Sequence, residues 1–324
     1  MNNTGALPKL DAKDKEILRE LDDNFRQPFS KIGRKVKLSK NSVALRFEKL
    51  KEYSLHNMVG LNNELINLTM VRVYYSFDYY NEETEKAIVS EGKKHKNIQW
   101  IAKYFGAYDI GICFLVDNFD DLTSQINKFD ERFAGRINRK EIHIISKQHY
   151  FRYNFLHDRP LTWVSKIEKS QKKEKLSLTD KKLIRAMLYD PRINLLNISR
   201  KLNISPRTVS NRLKALKKSG VIMGYFMTVN PKKFNHDTFK LFIQLHNLKK
   251  EQEFEKYISE IKNIKFFAKM LGVWDYEMDF IYPNVSELQK QIELMKEKFP
   301  NLIKKIEIVS LGKRIFTNEK NLYI

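Results

Sequence analysis

The sequence predicts an α+β fold, built as two tandem copies of a helix-turn-helix domain followed by a ferredoxin-like βαββαβ domain. Three observations predict it. The chain repeats itself at a constant offset, each repeat opens with helical periodicity, and the rest of each repeat alternates strands and helices in one order.

The repeat comes first. Leu38-Ser39-Lys-Asn-Ser-Val43-Ala-Leu-Arg46-Phe47-Glu-Lys-Leu50 reads like Ile204-Ser205-Pro-Arg-Thr-Val209-Ser-Asn-Arg212-Leu213-Lys-Ala-Leu216, at an offset of 205 − 39 = 166. The same offset pairs Asp14 with Asp180, Arg26 with Arg192 and Lys35 with Lys201. Downstream it pairs Gly106 with Gly272, Asp109 with Asp275, Phe133 with Phe299 and Glu141 with Glu307. A register held over so long a span without gaps marks a duplication.

Each copy opens with three short amphipathic helices. In copy one the apolar faces are Ile17, Leu18 and Leu21, then Ile32, Val36 and Leu38, then Val43, Phe47 and Leu50. In copy two they are Leu183, Ile184 and Met187, then Leu195, Ile198 and Leu202, then Val209, Leu213 and Leu216. Strand-like alternation follows at Thr69–Phe77, then a charged helix at Glu82–Lys94 and strands near Ile98–Phe105 and Asp109–Val116. Helix Phe119–Phe133 and strand Lys140–Ser146 complete copy one, and copy two repeats the series from Thr238 to Ser310. Two helices on one face of a four-stranded antiparallel sheet is the ferredoxin-like arrangement. The predicted boundaries are 1–58 and 176–227 for the helix-turn-helix domains and 59–149 and 228–324 for the α/β domains. A linker at 150–175 is aromatic at first and lysine-rich at its end.

Composition bounds the function. Across 324 residues, 60 Lys and Arg stand against 39 Asp and Glu, a net charge of +21 that calls for a polyanionic partner. One cysteine, Cys113, lies in an apolar run; no intrachain disulfide is possible, which fits a reducing compartment. The start of the chain has no apolar leader and no run is long enough to span a membrane, so a cytoplasmic location is expected.

The basic surplus is concentrated. Between Arg192 and Lys218 there are eight basic residues and no acidic one. There, Ser205 is a favoured N-cap and Pro206 suits the first helical position, so the following helix has a defined start. In a helix-turn-helix this second helix enters the DNA major groove. Its candidate contacts are Arg207, Thr208, Ser210, Asn211, Arg212 and Lys214, with Lys40, Asn41, Arg46 and Lys49 in copy one. Acidic Glu48 and Glu52 intrude on the copy-one face. Double-stranded DNA is the expected partner.

At these residues each half resembles a full-length regulator of the leucine-responsive (Lrp/AsnC, feast/famine) family. The resemblance rests on Leu10-Asp-Ala-Lys-Asp14-Lys-Glu-Ile-Leu18, on Ser39-x-x-Ser-Val43-x-x-Arg46-Phe-x-x-Leu50, and on their partners Leu178-Thr-Asp180-Lys-Lys-Leu-Ile184 and Ser205-x-x-Thr-Val209-x-x-Arg212-Leu-x-x-Leu216. Lys218-Ser-Gly220-Val-Ile222-x-Gly-Tyr225 also matches the family's exit from the recognition helix, whereas copy one has Ser54-Leu55-His56-Asn57 instead. The resemblance implies that the α/β halves pair with each other and bind a small effector, such as an amino acid, near a Gly-x-x-Asp turn. That turn stands as Gly106-Ala-Tyr108-Asp109 and Gly272-Val-Trp274-Asp275. A glycine followed by an aspartate also suits a tight hairpin in its own right. An intrachain pseudo-dimer reading an imperfect palindrome follows, as does self-association of such units.

Two other classes compete. A non-specific DNA organiser would also suit the charge. Siroheme decarboxylases share the fold family, sometimes as fused pairs, but the resemblance would require a His/Arg-containing strand and a Trp-Pro-Tyr-Asn-like segment. The corresponding strand here is Asn97-Ile-Gln-Trp100-Ile-Ala-Lys-Tyr-Phe105. The seven histidines show no paired spacing and no metal or phosphate-loop motif occurs, so neither cofactor, metal nor enzymatic activity is expected.

Overall fold

The computed structural model describes residues 9–53, 56–157, 163–167, 173–190 and 192–317. Copy one runs α1 (Ala12–Asp23), α2 (Phe29–Val36), α3 (Lys40–Leu50), β1 (His56–Leu61), β2 (Thr69–Phe77), α4 (Glu82–Gly92), β3 (Ile98–Gly106), β4 (Ile110–Val116), α5 (Phe119–Arg132) and β5 (Ile137–Phe151). After β6 (Trp163–Ile167), copy two runs α6 (Leu178–Tyr189), α7 (Leu195–Leu202), α8 (Pro206–Lys218), β7 (Ile222–Thr228), β8 (Asp237–Leu245), α9 (Glu251–Glu260), β9 (Ile264–Leu271), β10 (Tyr276–Tyr282), α10 (Val285–Lys298) and β11 (Ile303–Thr317).

Local chemistry sets the helix starts. Asp11 and Asp14 form a reciprocal capping box on α1, and Ser177 and Asp180 form its counterpart on α6. Ser39 caps α3 by accepting from the Ser42 amide, and Ser205 caps α8 by accepting from Thr208. The turns before them bend at Lys37 and Asn203, equivalent residues with left-handed backbones at φ 57° and 52°. The apolar faces pack as expected, except that Leu195 stays partly exposed and Leu38 and Leu202 are only half-buried.

The two α/β domains share one structure. Within copy one the strand order is β5-β2-β4-β3, and within copy two it is β11-β8-β10-β9. Edge strand β3 pairs with β11, and edge strand β9 pairs with β5, so the two sheets close into an eight-stranded barrel. Closure removes every open edge in the ring. Helices cover the outside: Val71, Val73 and Tyr75 of β2 pack with Ile88, Ile126 and Phe129. In copy two, Leu241 and Ile243 pack with Phe254, Ile258 and Leu288.

The linker at 150–175 is shorter than expected. Strand β5 runs on through Phe151, and β6 falls inside the predicted linker and pairs with β5. Tyr153 is buried, its amide donating to Asp22 of α1 at 2.9 Å. This packing ties the end of the first α/β domain to its own helix-turn-helix unit. Part of the lysine-rich run lies outside the described residues, as do Ser54 and Leu55 of the copy-one exit.

Strands β1 and β7 form an antiparallel ladder in which Val59 pairs with Tyr225 and His56 with Thr228. Val59 and Tyr225 are themselves equivalent, 59 + 166 = 225, so a pseudo-twofold axis passes between them. The barrel obeys the same symmetry: Phe105 pairs with Ser310, and their equivalents Leu271 and Ile144 pair with each other.

Candidate nucleic-acid interface

Each recognition helix is held from beneath by an apolar stripe and offers the opposite side to solvent. In α8, Val209, Leu213 and Leu216 are buried, while Arg207, Thr208, Asn211 and Lys214 are exposed and Ser210 is half-buried. In α3, Val43, Phe47 and Leu50 are buried, while Lys40, Asn41 and Lys49 are exposed. These eight expected contacts share the outward side. Thr208 has a second task, since its hydroxyl lies 2.8 Å from Ser205 Oγ at the cap.

Arg46 and Arg212 correct the sequence expectation. Arg46 Nη1 donates to Asp11 at 2.6 Å and to Asp14 at 2.7 Å. Arg212 Nη1 likewise donates to Ser177 and to Asp180, each at 3.1 Å. Both side chains leave their helix flank sideways towards the capping boxes of α1 and α6, so they tie the recognition helix to the first helix of its unit. Arg212→Ala should therefore lower stability by about 1 kcal/mol, as an ion pair with partial exposure would. Thermal unfolding reads the loss, and the ratio of operator to random-DNA affinity should stay where it was.

A reciprocal exchange joins the two units. Arg26 donates to the Ile193 carbonyl, and its equivalent Arg192 donates to the carbonyls of Phe25 and, at 2.9 Å, of Gln27. Arg192 also lies 4.2 Å over the Phe29 ring. Together with the β1–β7 ladder, these contacts hold both recognition helices in one frame.

The two Gly-x-x-Asp hairpins stand at one end of the barrel. Gly106 and Gly272 are exposed. A side chain at Gly272 would come within 2.8 Å of the Ile142 carbonyl and 2.5 Å of His143 Nδ1, which is why glycine stands there. The aspartates are used by the fold: Asp109 accepts from the Phe77 amide and Asp275 from the Leu245 amide, both at 2.8 Å. Tyr108 and Trp274, named with the turn as effector-binding residues, are buried in the barrel and offer no surface to solvent. Instead they converge on Glu141, with Tyr108 Oη donating to Oε2 and Trp274 Nε1 donating at 2.8 Å. Arg139 bridges Glu141 at 2.8 Å and Glu307 at 2.7 Å.

Burial alone would raise the Glu141 carboxyl. Its donors, His143 first and then Tyr108, Arg139 and Trp274, outweigh that and hold it down at about 2. A depressed carboxyl contributes stability that is complete above its ordinary 4.5 and is lost as the pH falls towards about 2. The difference in unfolding free energy between the chain and Glu141→Gln should therefore shrink across that window, as urea melts at successive pH values will read.

Deeper in the barrel a charged cluster joins the copies. Glu277 accepts from Arg72 and Lys240, and Tyr74 Oη donates to it at 2.8 Å. Lys240 also reaches Asp279 at 2.6 Å. Burial opposes charge at Arg72 and Glu277, but their attraction prevails, raising the guanidinium and lowering the carboxyl. Around this cluster Tyr104, Phe242, Phe266 and Met270 fill the space between the sheets.

Comparison with known proteins agrees with the two heads. An AsnC-type helix-turn-helix domain model matches residues 10–51, and a winged helix-turn-helix DNA-binding model matches residues 176–223. The leucine-responsive regulatory protein of Haemophilus influenzae is 26% identical over 142 residues, 43% of this chain and 85% of the relative. The chain carries an AsnC-type helix-turn-helix domain and is similar to regulators of the Lrp/AsnC family.

Other relatives match this chain over similar spans. The proline dehydrogenase transcriptional activator of Rhizobium radiobacter is 26% identical over 136 residues, 41% of this chain and 85% of the relative. An uncharacterized HTH-type transcriptional regulator of Pyrococcus abyssi is 27% identical over 114 residues, 35% and 78% of the two chains. The siroheme decarboxylase NirDL matches the tandem arrangement as a whole, with a TM-score of 0.61 over 95% of this chain and 96% of that one. At 11% identity, that likeness is one of fold.

Sequence reasoning missed three parts of this protein: the β1–β7 ladder, the arginine exchange and the ion cluster in the barrel. Arg26 and Arg192 had a signal, being identical at equivalent positions of the repeat. The ion cluster had none, because the residues equivalent to Arg72 and Glu277 are Thr238 and Gly111.

Proposed function

We propose that this protein is a sequence-specific, double-stranded-DNA-binding transcription regulator that acts as an intrachain pseudo-dimer on an imperfect palindrome. One observation carries the reading. Two capped recognition helices, related by a pseudo-twofold axis, present Arg207, Asn211 and Lys214 on one side and Lys40, Asn41 and Lys49 on the other to solvent. Their half-sites lie about one helical turn apart or a multiple of it. A fluorescence-anisotropy titration tests this, with the gene's own promoter duplex and a scrambled duplex at several salt concentrations. A promoter preference on the order of a thousandfold is expected. Equal, steeply salt-dependent binding to both would make the protein a DNA organiser, and no binding at moderate salt would overturn the DNA reading.

A small effector, an amino acid or similar molecule, belongs to the same proposal, at the exposed hairpin tips around Gly106 and Gly272. Adding single amino acids to the titration tests it: a shifted midpoint supports an effector, and an unmoved one with all of them removes it. Self-association is supported by exposed Phe105, Leu271 and Val273 at those tips, and light scattering reads the mass directly. An enzymatic reading is less well supported, because the interior between the sheets is occupied by Tyr74, Tyr108, Phe242 and Trp274, all fully buried.

A further inference from the structure

The pseudo-twofold axis makes the two recognition helices comparable residue by residue, and their groove-facing side chains differ in kind. Under the offset of 166, Asn41 corresponds to Arg207, Ala44 to Ser210, Leu45 to Asn211 and Glu48 to Lys214. The scaffold beneath is the same in both: a serine cap, an apolar stripe and an arginine tied to the capping box. On the two recognition helices it is the outward surface that has changed in chemical kind. Leu45 decides the matter, because a leucine in the middle of the recognition helix is 65% exposed and is left uncovered by the fold.

We infer that the operator is directional, with two half-sites of different base chemistry. The inference rests on the regulator reading above. The α8 half-site presents guanine and adenine edges, since arginine pairs with guanine O6 and N7 and asparagine with adenine N6 and N7. The α3 half-site carries thymine methyl groups under Leu45 and Ala44. Glu48 adds a preference for cytosine, whose N4 amine donates to a carboxylate, and it disfavours guanine's acceptors.

Electrostatics separates the heads in the same direction. Helix α8 holds Arg207, Lys214, Lys217 and Lys218 beyond the tied Arg212, with no acidic residue. In α3 and the turn after it, Glu48 and Glu52 accompany Lys40, Lys49 and Lys51. The α8 head therefore supplies most of the phosphate attraction and the salt dependence, whereas the α3 head adds selectivity through apolar contact. A duplex bearing two α8-type half-sites loses affinity at the α3 head, and the protein sits on its operator in one orientation.

The test is selection of binding sites from a randomised duplex pool with the full-length chain, followed by anisotropy on the enriched sequences. Two unlike half-sites are expected, and the enriched operator should be bound about tenfold or more tighter than a palindrome of its own α8 half-site. The quadruple variant Asn41→Arg, Ala44→Ser, Leu45→Asn and Glu48→Lys gives α3 the α8 surface and should select that palindrome. All four residues lie on the outward side, and circular dichroism confirms the fold. A palindrome selected by the unaltered chain would overturn the inference while leaving the regulator reading intact. A single half-site that Leu45→Asn does not alter would do the same. No enrichment from the pool would instead defeat the regulator reading itself.

Discussion

Replacing Glu277 with glutamine is expected to destabilise the chain by about 3–5 kcal/mol, the cost of breaking a buried ion pair from one side. Glu277 is fully buried and accepts from Arg72 of copy one and Lys240 of copy two. Removing its charge leaves two cations between the sheets, with Asp279 within reach of Lys240 alone. The midpoint of urea unfolding should fall, followed by the fluorescence of Trp274, which lies in the same interior cluster. The double variant Arg72→Met and Glu277→Leu should lose much less, because apolar side chains of similar volume avoid the unpaired charge. A single variant as stable as the parent chain would show that the cluster is open to water.

The second large effect falls on DNA recognition. Arg207→Ala with Asn211→Ala should cut the preference for promoter over random duplex by about thirtyfold or more, each bidentate base contact contributing roughly 1–3 kcal/mol. On a base edge Arg207 neutralises no phosphate, so the slope of affinity against salt on the promoter duplex should stay nearly unchanged. That pairing of results separates base reading from phosphate attraction. Equal loss on the two duplexes would place Arg207 on phosphate alone.

Much of the fold was legible because its signals are local. The capping residues Ser39, Ser177 and Ser205, the stripes at Val43, Phe47 and Leu50, and the hairpin glycines each need only a few neighbouring residues to be read. Seven consecutive residues of β4, Ile110–Val116, are buried, because closure of the barrel covers the face that the helices leave free. In β2 the alternation was misleading. Val71, Val73 and Tyr75 face the helices, as read, but Arg72 and Tyr74 between them face the barrel and not water. A charged residue on the second face of a strand looks like a solvent residue until its partner is known. That partner, Glu277, lies more than 200 residues away.

The candidate site divided in the same way. Exposed Lys40, Asn41, Lys49, Arg207, Thr208, Asn211 and Lys214, with half-buried Ser210, stand where helical phase put them. Arg46 and Arg212 did not, because a long side chain at the flank of a helix goes where an acceptor holds it, and the capping boxes lie within reach. Asp109 and Asp275 similarly serve the amides of Phe77 and Leu245.

Sequence alone therefore determined the duplication, the two heads and the class of partner, since periodicity, capping and charge act over a few residues at a time. Only the tertiary structure decided that the two sheets close into one barrel and that the two heads share one frame. It also decided which charges are spent inside the fold. Those outcomes depend on contacts between the copies, where the energy of a buried side chain is set by whatever lies opposite it across the pseudo-twofold axis.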